Sequence, residues 1–147
     1  MKTILTAAAL CVMTALPALA GLVKVESRHS VDATINALET ALGEAGATVF
    51  ARVDHAKGAS DIGAELPDSQ ILIFGNPKIG TPAMQADMRA GLFLPLKALA
   101  YEDAEGKVWL TYEDPVMMFK GLDIKPSAEF IAVMTGALQK LSTAATQ

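Results

Sequence analysis

The residues best suited to bind another molecule lie in one short segment, residues 74–82, which reads FGNPKIGTP. Two glycines, two prolines, an asparagine and a lysine stand between an apolar run and a helical pattern. Backbone N–H groups at a helix start can bind an anion, and Lys78 adds a positive charge. The glycine spacing and the Lys-Ser/Thr pair of a phosphate loop are absent. The segment is therefore either a tight turn with special backbone angles or a site for a polar or anionic ligand.

Histidine is the second candidate, because its charge changes near neutral pH and the chain has only two. His29 follows the first predicted strand, where a polar loop residue is expected. His55 follows Asp54 at the end of the second predicted strand. Adjacent strand side chains point to opposite faces, so these two residues are not automatically an acid–histidine pair. His55 is a candidate proton donor or ligand, with a structural role as the alternative.

Other chemical signatures are missing. The sequence has no Gly-x-Ser-x-Gly and no His-Glu-x-x-His motif, and its acidic residues near the predicted hairpin suit a solvated surface. Its methionines form no His-Met or Met-x-x-Met cluster typical of copper carriers, and core packing explains Met84 and Met88. We therefore expect no cofactor and no metal, assign no catalytic residue and disfavour an enzyme. The formal net charge of −4 also argues against nucleic acid as a partner.

Residues 1–20 have the three parts of a secretory signal. Lys2 is positive, residues 4–16 are almost wholly apolar, and Ala18-Leu19-Ala20 precedes Gly21 as a small-x-small cleavage site. We expect cleavage after Ala20, with an uncleaved anchor and a lipoprotein as alternatives. The single cysteine lies in this segment, so the mature domain, residues 21–147, would carry no thiol. Cleavage would also remove the apolar run, so the mature domain would have no stable membrane anchor. The expected location is periplasmic or secreted.

The elements that must position the candidate residues follow from hydropathy and turn signals. A stretch at 56–69 reads as a loop or a short helix. The pattern predicts strands at 22–28, 47–55 and 71–74, a helix from Ser30 to Gly46, a short helix at 83–89 after the Thr81-Pro82 start, a hairpin with strands 95–101 and 107–113, and a long helix from Pro126 or Ser127.

The hairpin sorts its side chains onto two faces. Tyr101 should stand opposite Trp109, on a face shared with Leu99. The opposite face would hold Leu96, Ala98, Ala100, Leu110 and Tyr112. Because both faces are partly apolar, the first needs a cover, and a partner subunit is one candidate. The element order predicts a single α+β domain, with an antiparallel or mixed sheet and helices packed on one face.

Three segments carry a resemblance to a known family. FGNPKIGTPAM at 74–84 and LPLKALAYEDAEGKVWLTYEDP at 94–115 resemble the domain of unknown function 302 family, and VFARVDHAKGA at 49–59 is similar to its second-strand pattern. The resemblance covers about residues 23–141 and implies a β-α-β4-α fold like that of the TATA-binding protein, often assembled as a homodimer. It also implies a shared pocket at the matching positions His55, Asn76, Pro77, Lys78, Gly80, Thr81, Tyr112 and Asp114.

That family has no settled biochemical role, and likeness to a DNA-binding fold transfers no activity. We expect an exported small domain that binds a small polar or anionic ligand as a homodimer. Two alternatives stay open: an envelope enzyme using His55 and Asp114 as acid–base groups, and an interaction protein without a small ligand.

Overall fold

Five strands and five α-helices follow one another along the described part of the chain. The computed structural model describes residues 21–147, so the predicted signal at 1–20 lies outside the described residues. The elements are β1 (Leu22–Ser27), α1 (Val31–Glu44), β2 (Thr48–Asp54), α2 (His55–Asp61), β3 (Ser69–Gly75), α3 (Pro77–Ala86), a 3₁₀ turn (Met88–Leu92), β4 (Leu96–Glu102), β5 (Val108–Glu113), α4 (Pro115–Met118) and α5 (Glu129–Thr146).

The strands form one sheet in the order β1-β5-β4-β3-β2, and every neighbouring pair is antiparallel. The first strand of the described chain therefore pairs with the last, Leu22 opposite Glu113. The α+β class expected from the sequence is confirmed, and the sheet is antiparallel rather than mixed.

Helix α1 packs on the sheet through one apolar stripe. Ser30 caps its start by accepting a hydrogen bond from Ala33 N, at 3.2 Å between the atoms. The residues spaced along the stripe, each no more than 1% exposed, are Val31, Ile35, Leu38 and Leu42. They share a core with Leu72 and Leu110 of the sheet and Leu138 of α5. Because Leu38→Ala would leave a cavity here, we expect it to lower the free energy of unfolding by about 2–5 kcal/mol.

The hairpin has the predicted register. Tyr101 lies opposite Trp109, and Gly106 adopts the positive φ of 76° that closes the turn. Ala98, Ala100, Leu110 and Tyr112 are buried beneath the helices. The opposite surface of the sheet, here called the outer face, includes Leu99, Tyr101 and Trp109, all half-buried.

Two predicted helix starts differ from the structure. Helix α3 begins at Pro77 with Asn76 as its cap, so the expected start at Thr81-Pro82 is wrong and Pro82 lies inside the helix. Asn76-Pro77 offers the same cap-then-proline pattern five residues earlier, and a proline in the second turn removes only one backbone hydrogen bond. Helix α5 begins at Glu129, shortly after the predicted start.

A second core lies between α3, α4 and α5. Phe119 is 2% exposed and meets Phe93 edge-on, with 6.1 Å between ring centroids, and Phe130 at 6.5 Å. Its other buried members include Ala83, Ile131 and Met134. Edge-to-face pairs of this kind stabilise packing beyond the area they bury, by about 0.5–1.5 kcal/mol. This second core holds α3 against α5 beside the end of β3.

Candidate functional site

An opening lined mainly by apolar residues lies where β3 ends, and we call it the strand-end cavity. Its volume is about 280 Å³. It lies between the end of β3, helix α3, the segment before β4, and the facing sides of α1 and α5. Its lining residues are Leu42, Ala45, Ala47, Phe50, Phe74, Gly75, Asn76, Pro77, Ile79, Gly80, Thr81, Met84, Leu94, Pro95, Leu96, Met134, Ala137, Leu138 and Leu141.

Two local features shape the cavity near β2. The register between β2 and β3 shifts between Val49 and Ala51, which leaves Phe50 as the extra residue of a bulge. Phe50 lines the cavity and is 58% exposed. A Cβ placed on Gly75 would lie 3.4 Å from Cε2 of Phe50 and 3.7 Å from Cβ of Pro95. Both are ordinary van der Waals distances, so the space at this position would admit a Cβ.

The start of α3 has no free backbone donor for an anion. Pro77 has no N–H, and Lys78 N donates to Asn76 Oδ1 at 2.9 Å. Ile79 N and Gly80 N donate to the carbonyl oxygen of Asn76 at 2.9 and 3.0 Å. Asn76 itself donates through Nδ2 to the carbonyl oxygen of Gly46 at 3.2 Å. These contacts explain the asparagine and proline as parts of a helix cap, and they leave no free N–H group at the helix start to bind an anion.

Two further polar residues of α3, Thr81 and Lys78, bear on what the cavity can bind. Thr81 lines the cavity and is exposed, and its hydroxyl has no hydrogen-bond partner within residues 21–147. Lys78 is exposed and forms no ion pair with any residue of that same range. The two residues are three apart on one helix, so their side chains are neighbours on its surface.

His55 lies at the other end of the sheet. Asp54 pairs with Gln70 at the start of β3, whereas Asn76 follows Gly75 at its end. Five residues of strand separate these two levels, which corresponds to roughly 17 Å. His55 is the first residue of α2, after Asp54 has accepted the capping hydrogen bond from Lys57 N. The structure therefore does not bring His55 together with Asn76.

Tyr112 and Asp114 also lie away from the cavity. Tyr112 is 5% exposed and belongs to the core between the sheet and α1. Asp114 follows β5 and caps α4, accepting a hydrogen bond from Val116 N at 2.8 Å. Three strand spacings, about 14 Å, separate β2 from β5, and His55 stands at the opposite end of the sheet from Asp114. A proton cannot pass directly between groups so far apart.

The predicted site residues thus fall into three groups. Asn76, Pro77, Gly80 and Thr81 line the strand-end cavity, and Lys78 lies on the same helix but does not line it. The residues that do not line it are His55, Tyr112 and Asp114.

Most of the cavity lining was not singled out from the sequence as a site. In the sequence, Met134, Ala137, Leu138 and Leu141 have only the spacing of an apolar helical stripe, and core packing explains Met84. Only the bulge could have indicated Phe50, and a bulge has no short sequence signature when its extra residue is not glycine.

The carboxyl groups whose pKa is lowered in the described residues do not line the cavity. Hydrogen bonds from the Arg89 side chain, and then from the backbone N–H groups of Asp123 and Arg89, hold the pKa of Asp87 far below its ordinary value. The indole of Trp109, and then the backbone N–H of Lys107, lower the pKa of Asp103. Within residues 21–147 no three His, Cys, Asp or Glu side chains are grouped to hold a metal ion.

Comparisons with known proteins agree on the family and the fold. The family model described as "Domain of unknown function DUF302" matches residues 23–146. The crystal structure of an uncharacterized conserved DUF302 protein from Bacillus stearothermophilus superposes with a TM-score of 0.77. It is 20% identical and covers 86% of this chain and 98% of that chain, so it bears on the fold alone.

Longer relatives carry a functional name. The chain is 46% identical over 118 residues to fluoride-specific ion channel FluC 1 of Brucella suis and of Brucella abortus, and to FluC 2 of Brucella melitensis. The match takes in 79% of this chain but only 46% or 44% of those proteins, so the chain spans about half their length. In the part of this chain that the structure describes, no helix is both long and apolar enough to cross a membrane.

Proposed function

Because the chain belongs to the DUF302 family, whose domain has no assigned activity, we propose that it is a small-molecule-binding protein that holds an apolar ligand in the strand-end cavity. One observation carries this proposal. Fifteen of the nineteen lining residues are apolar, two are glycine, two are polar and none is charged. An apolar opening with few polar groups is the usual character of a small-molecule site.

The lining also decides what part of a ligand can enter. Moving a charge into an apolar environment without a partner is strongly unfavourable, whereas burying apolar surface contributes about 25 cal/mol per Å². The polar or anionic ligand expected from the sequence therefore does not suit the interior of the cavity. A ligand with an apolar body does.

Assembly and location complete the proposal. The outer face leaves Leu99, Tyr101 and Trp109 half-buried, which supports a homodimer formed through this surface. Lys24 covers part of it, with Nζ 3.9 Å from the centroid of the Trp109 ring. Export to the periplasm or medium rests on the signal pattern of residues 1–20.

Acid–base catalysis by His55 and Asp114 has the weakest support. The two residues lie at opposite ends of the sheet, and neither lines the cavity. An enzyme of this design would need both groups within hydrogen-bond reach of one substrate, directly or through one water.

The relatives favour one further candidate, an accessory domain that acts on an ion channel. Three proteins named as fluoride-specific ion channels each contain a segment of 118 residues that is 46% identical to this chain. That segment makes up roughly half of each of those proteins. A domain carried in one chain with a channel stays beside it at high effective concentration, so even a weak contact would regulate it. The test is fluoride tolerance of cells that express such a channel with and without this protein. Unchanged tolerance would remove this candidate.

The cavity proposal is tested by filling the cavity. Ala137→Leu adds bulk to its lining, and Ala132→Leu adds the same bulk to the exposed side of the same helix, outside the lining. The probe is octan-1-ol, a neutral apolar ligand, followed by titration calorimetry. We expect one-to-one binding to the wild type, unchanged by Ala132→Leu and weakened about tenfold by Ala137→Leu, because overpacking costs about 1–3 kcal/mol. No binding, or equal binding to all three proteins, contradicts the proposal.

A further inference from the structure

We propose that the strand-end cavity binds an amphiphilic monocarboxylate, with its aliphatic tail inside and its carboxylate at the mouth beside Thr81 and Lys78. This inference rests on the proposed function, since it names the chemical class of the ligand for the same cavity.

The tail is indicated by the size and composition of the cavity. At about 280 Å³ it lies near the lower end of small-molecule sites, which begin at roughly 300 Å³. A short or medium aliphatic chain suits this volume better than a long one. Met84 and Met134 both line the cavity, and their unbranched side chains adapt to irregular apolar shapes.

The polar end is indicated by the hydrogen bonds of the two polar lining residues. Both functional groups of Asn76 are engaged, the amide nitrogen with Gly46 and the oxygen with Lys78 N. The hydroxyl of Thr81 is exposed and has no partner within residues 21–147. A ligand oxygen at the mouth would accept a hydrogen bond from this hydroxyl.

The negative charge is indicated by Lys78. This residue precedes Thr81 by three positions on α3, and such pairs have Cβ atoms about 5–6 Å apart. Its ammonium group is exposed on a flexible stem and forms no ion pair with the described part of the chain. No carboxylate lines the cavity, and Glu44 lines the neighbouring groove between α1 and α5 instead. The mouth therefore complements an anion and offers nothing comparable to a cation.

A free inorganic anion does not fit the same groups. Lys78 N, Ile79 N and Gly80 N already donate to Asn76, so the helix start has no cluster of amides to surround a phosphate. One lysine and one hydroxyl at an exposed site supply little affinity without a buried tail.

Four probes separate the contributions of tail and head: octanoate, octan-1-ol, octylammonium and inorganic phosphate, each titrated by calorimetry into the wild-type domain. We expect octanoate to bind about two- to fivefold more tightly than octan-1-ol, the range of one exposed ion pair. Octylammonium should bind more weakly than octan-1-ol, and phosphate should show no binding.

Variants assign the head group. Lys78→Gln should bring octanoate to the affinity of octan-1-ol and leave octan-1-ol unchanged. Thr81→Val should weaken both, because it removes a hydrogen bond that either oxygen can accept. Lys125→Gln, an exposed lysine away from the lining, is the matched control and should change neither. Lys78→Met repeats the test without a polar replacement, and circular dichroism verifies that each variant is folded.

The outcomes distinguish the two proposals. If octan-1-ol binds and octanoate binds no more tightly, the carboxylate inference fails and the apolar cavity stands. If neither octyl compound binds, both fail. Tighter binding of octylammonium, binding of phosphate alone, or an unchanged octanoate preference in Lys78→Gln would each overturn the inference.

Discussion

The side-chain amide of Asn76 donates a hydrogen bond to the carbonyl oxygen of Gly46, with 3.2 Å between the two atoms. The same side chain accepts from Lys78 N and so caps α3. One residue thereby fastens the start of α3 to the turn before β2, thirty residues earlier in the chain. Because Ala45 and Ala47 flank that turn and line the cavity, this contact joins two parts of the cavity wall.

Replacing Asn76 separates its two roles. Asn76→Ala removes the cap and the contact with Gly46, and we expect a loss of about 1–2 kcal/mol in the free energy of unfolding. Asn76→Asp keeps an oxygen that can cap and loses only the donor, so its loss should be smaller. Urea unfolding measures the free energy of unfolding of both variants. Ser30→Ala, which removes a cap on α1 without a long-range contact, is the control. Equal losses in Asn76→Asp and Asn76→Ala would contradict the capping role.

Asp87 predicts a dependence of stability on pH. Its side chain is only 8% exposed and accepts from Arg89 Nη2 at 2.6 Å and from Asp123 N at 2.9 Å. These contacts hold its pKa far below the ordinary value, so its carboxylate stabilises the fold above about pH 4. That stability is lost as the pH falls through the lowered folded pKa. Asp87→Asn should lower the melting temperature at neutral pH, by an amount that shrinks in acid.

The control for Asp87 is Asp61→Asn, which breaks an exposed pair with Lys57. Such a pair is worth about 0–1 kcal/mol, so this variant should have little effect at neutral pH. If Asp87→Asn melts like Asp61→Asn at neutral pH, the contacts to Arg89 and Asp123 do not stabilise the fold.

Trp109 is the single tryptophan and reports on Asp103. Its Nε1 donates to Asp103 Oδ2 at 2.6 Å, and this bond is the main cause of the lowered pKa of Asp103. We expect tryptophan fluorescence to change in acid with a midpoint below the ordinary aspartate value of about 3.9. Asp103→Asn should abolish the change. Far-ultraviolet circular dichroism over the same range separates this titration from unfolding, and a midpoint at or above the ordinary value would count against the bond.

The outer face predicts the oligomeric state. Leu99 lies between Ile71 and Thr111 of the neighbouring strands, at the middle of this surface. If a second copy covers it, Leu99→Lys should give a folded monomer, because two buried ammonium groups would face one another. Ile62→Lys is the control, since Ile62 is 83% exposed elsewhere. Sedimentation equilibrium measures the result, and a monomeric wild type would refute the interface.

Local chemistry explains what the sequence could predict. Trp109 and Tyr101 pair as expected because a short connection containing Gly106 determines the register of a hairpin. Helix α1 was likewise predictable from Ser30 and the spacing of four apolar residues. Both patterns depend on residues close together in the chain.

The features that the sequence could not predict depend on contacts between residues far apart in the chain. His55 does stand directly after β2, but its distance from Asn76 depends on the antiparallel register of β2 and β3, which no local pattern contains. Met134 and Leu138 have the spacing of an apolar helical stripe, and both are buried. In a sequence, an apolar residue that fills a core and one that borders a cavity look alike. Which of the two a residue becomes depends on whether the neighbouring helices and strands fill the space beside it.

The cap of α3 separates residues that hold the fold from residues that face the mouth of the cavity. Asn76 and Pro77 are committed to the helix start, whereas Lys78 and Thr81 are exposed and support no other element through their side chains within residues 21–147. Substitutions at such exposed positions usually change stability by less than about 0.5 kcal/mol. If the cavity binds the proposed carboxylate, substitutions at these two positions would change the preferred head group and leave the scaffold intact. A protein that kept the Asn-Pro pair but changed these two residues would then keep the fold and lose the preference for a carboxylate.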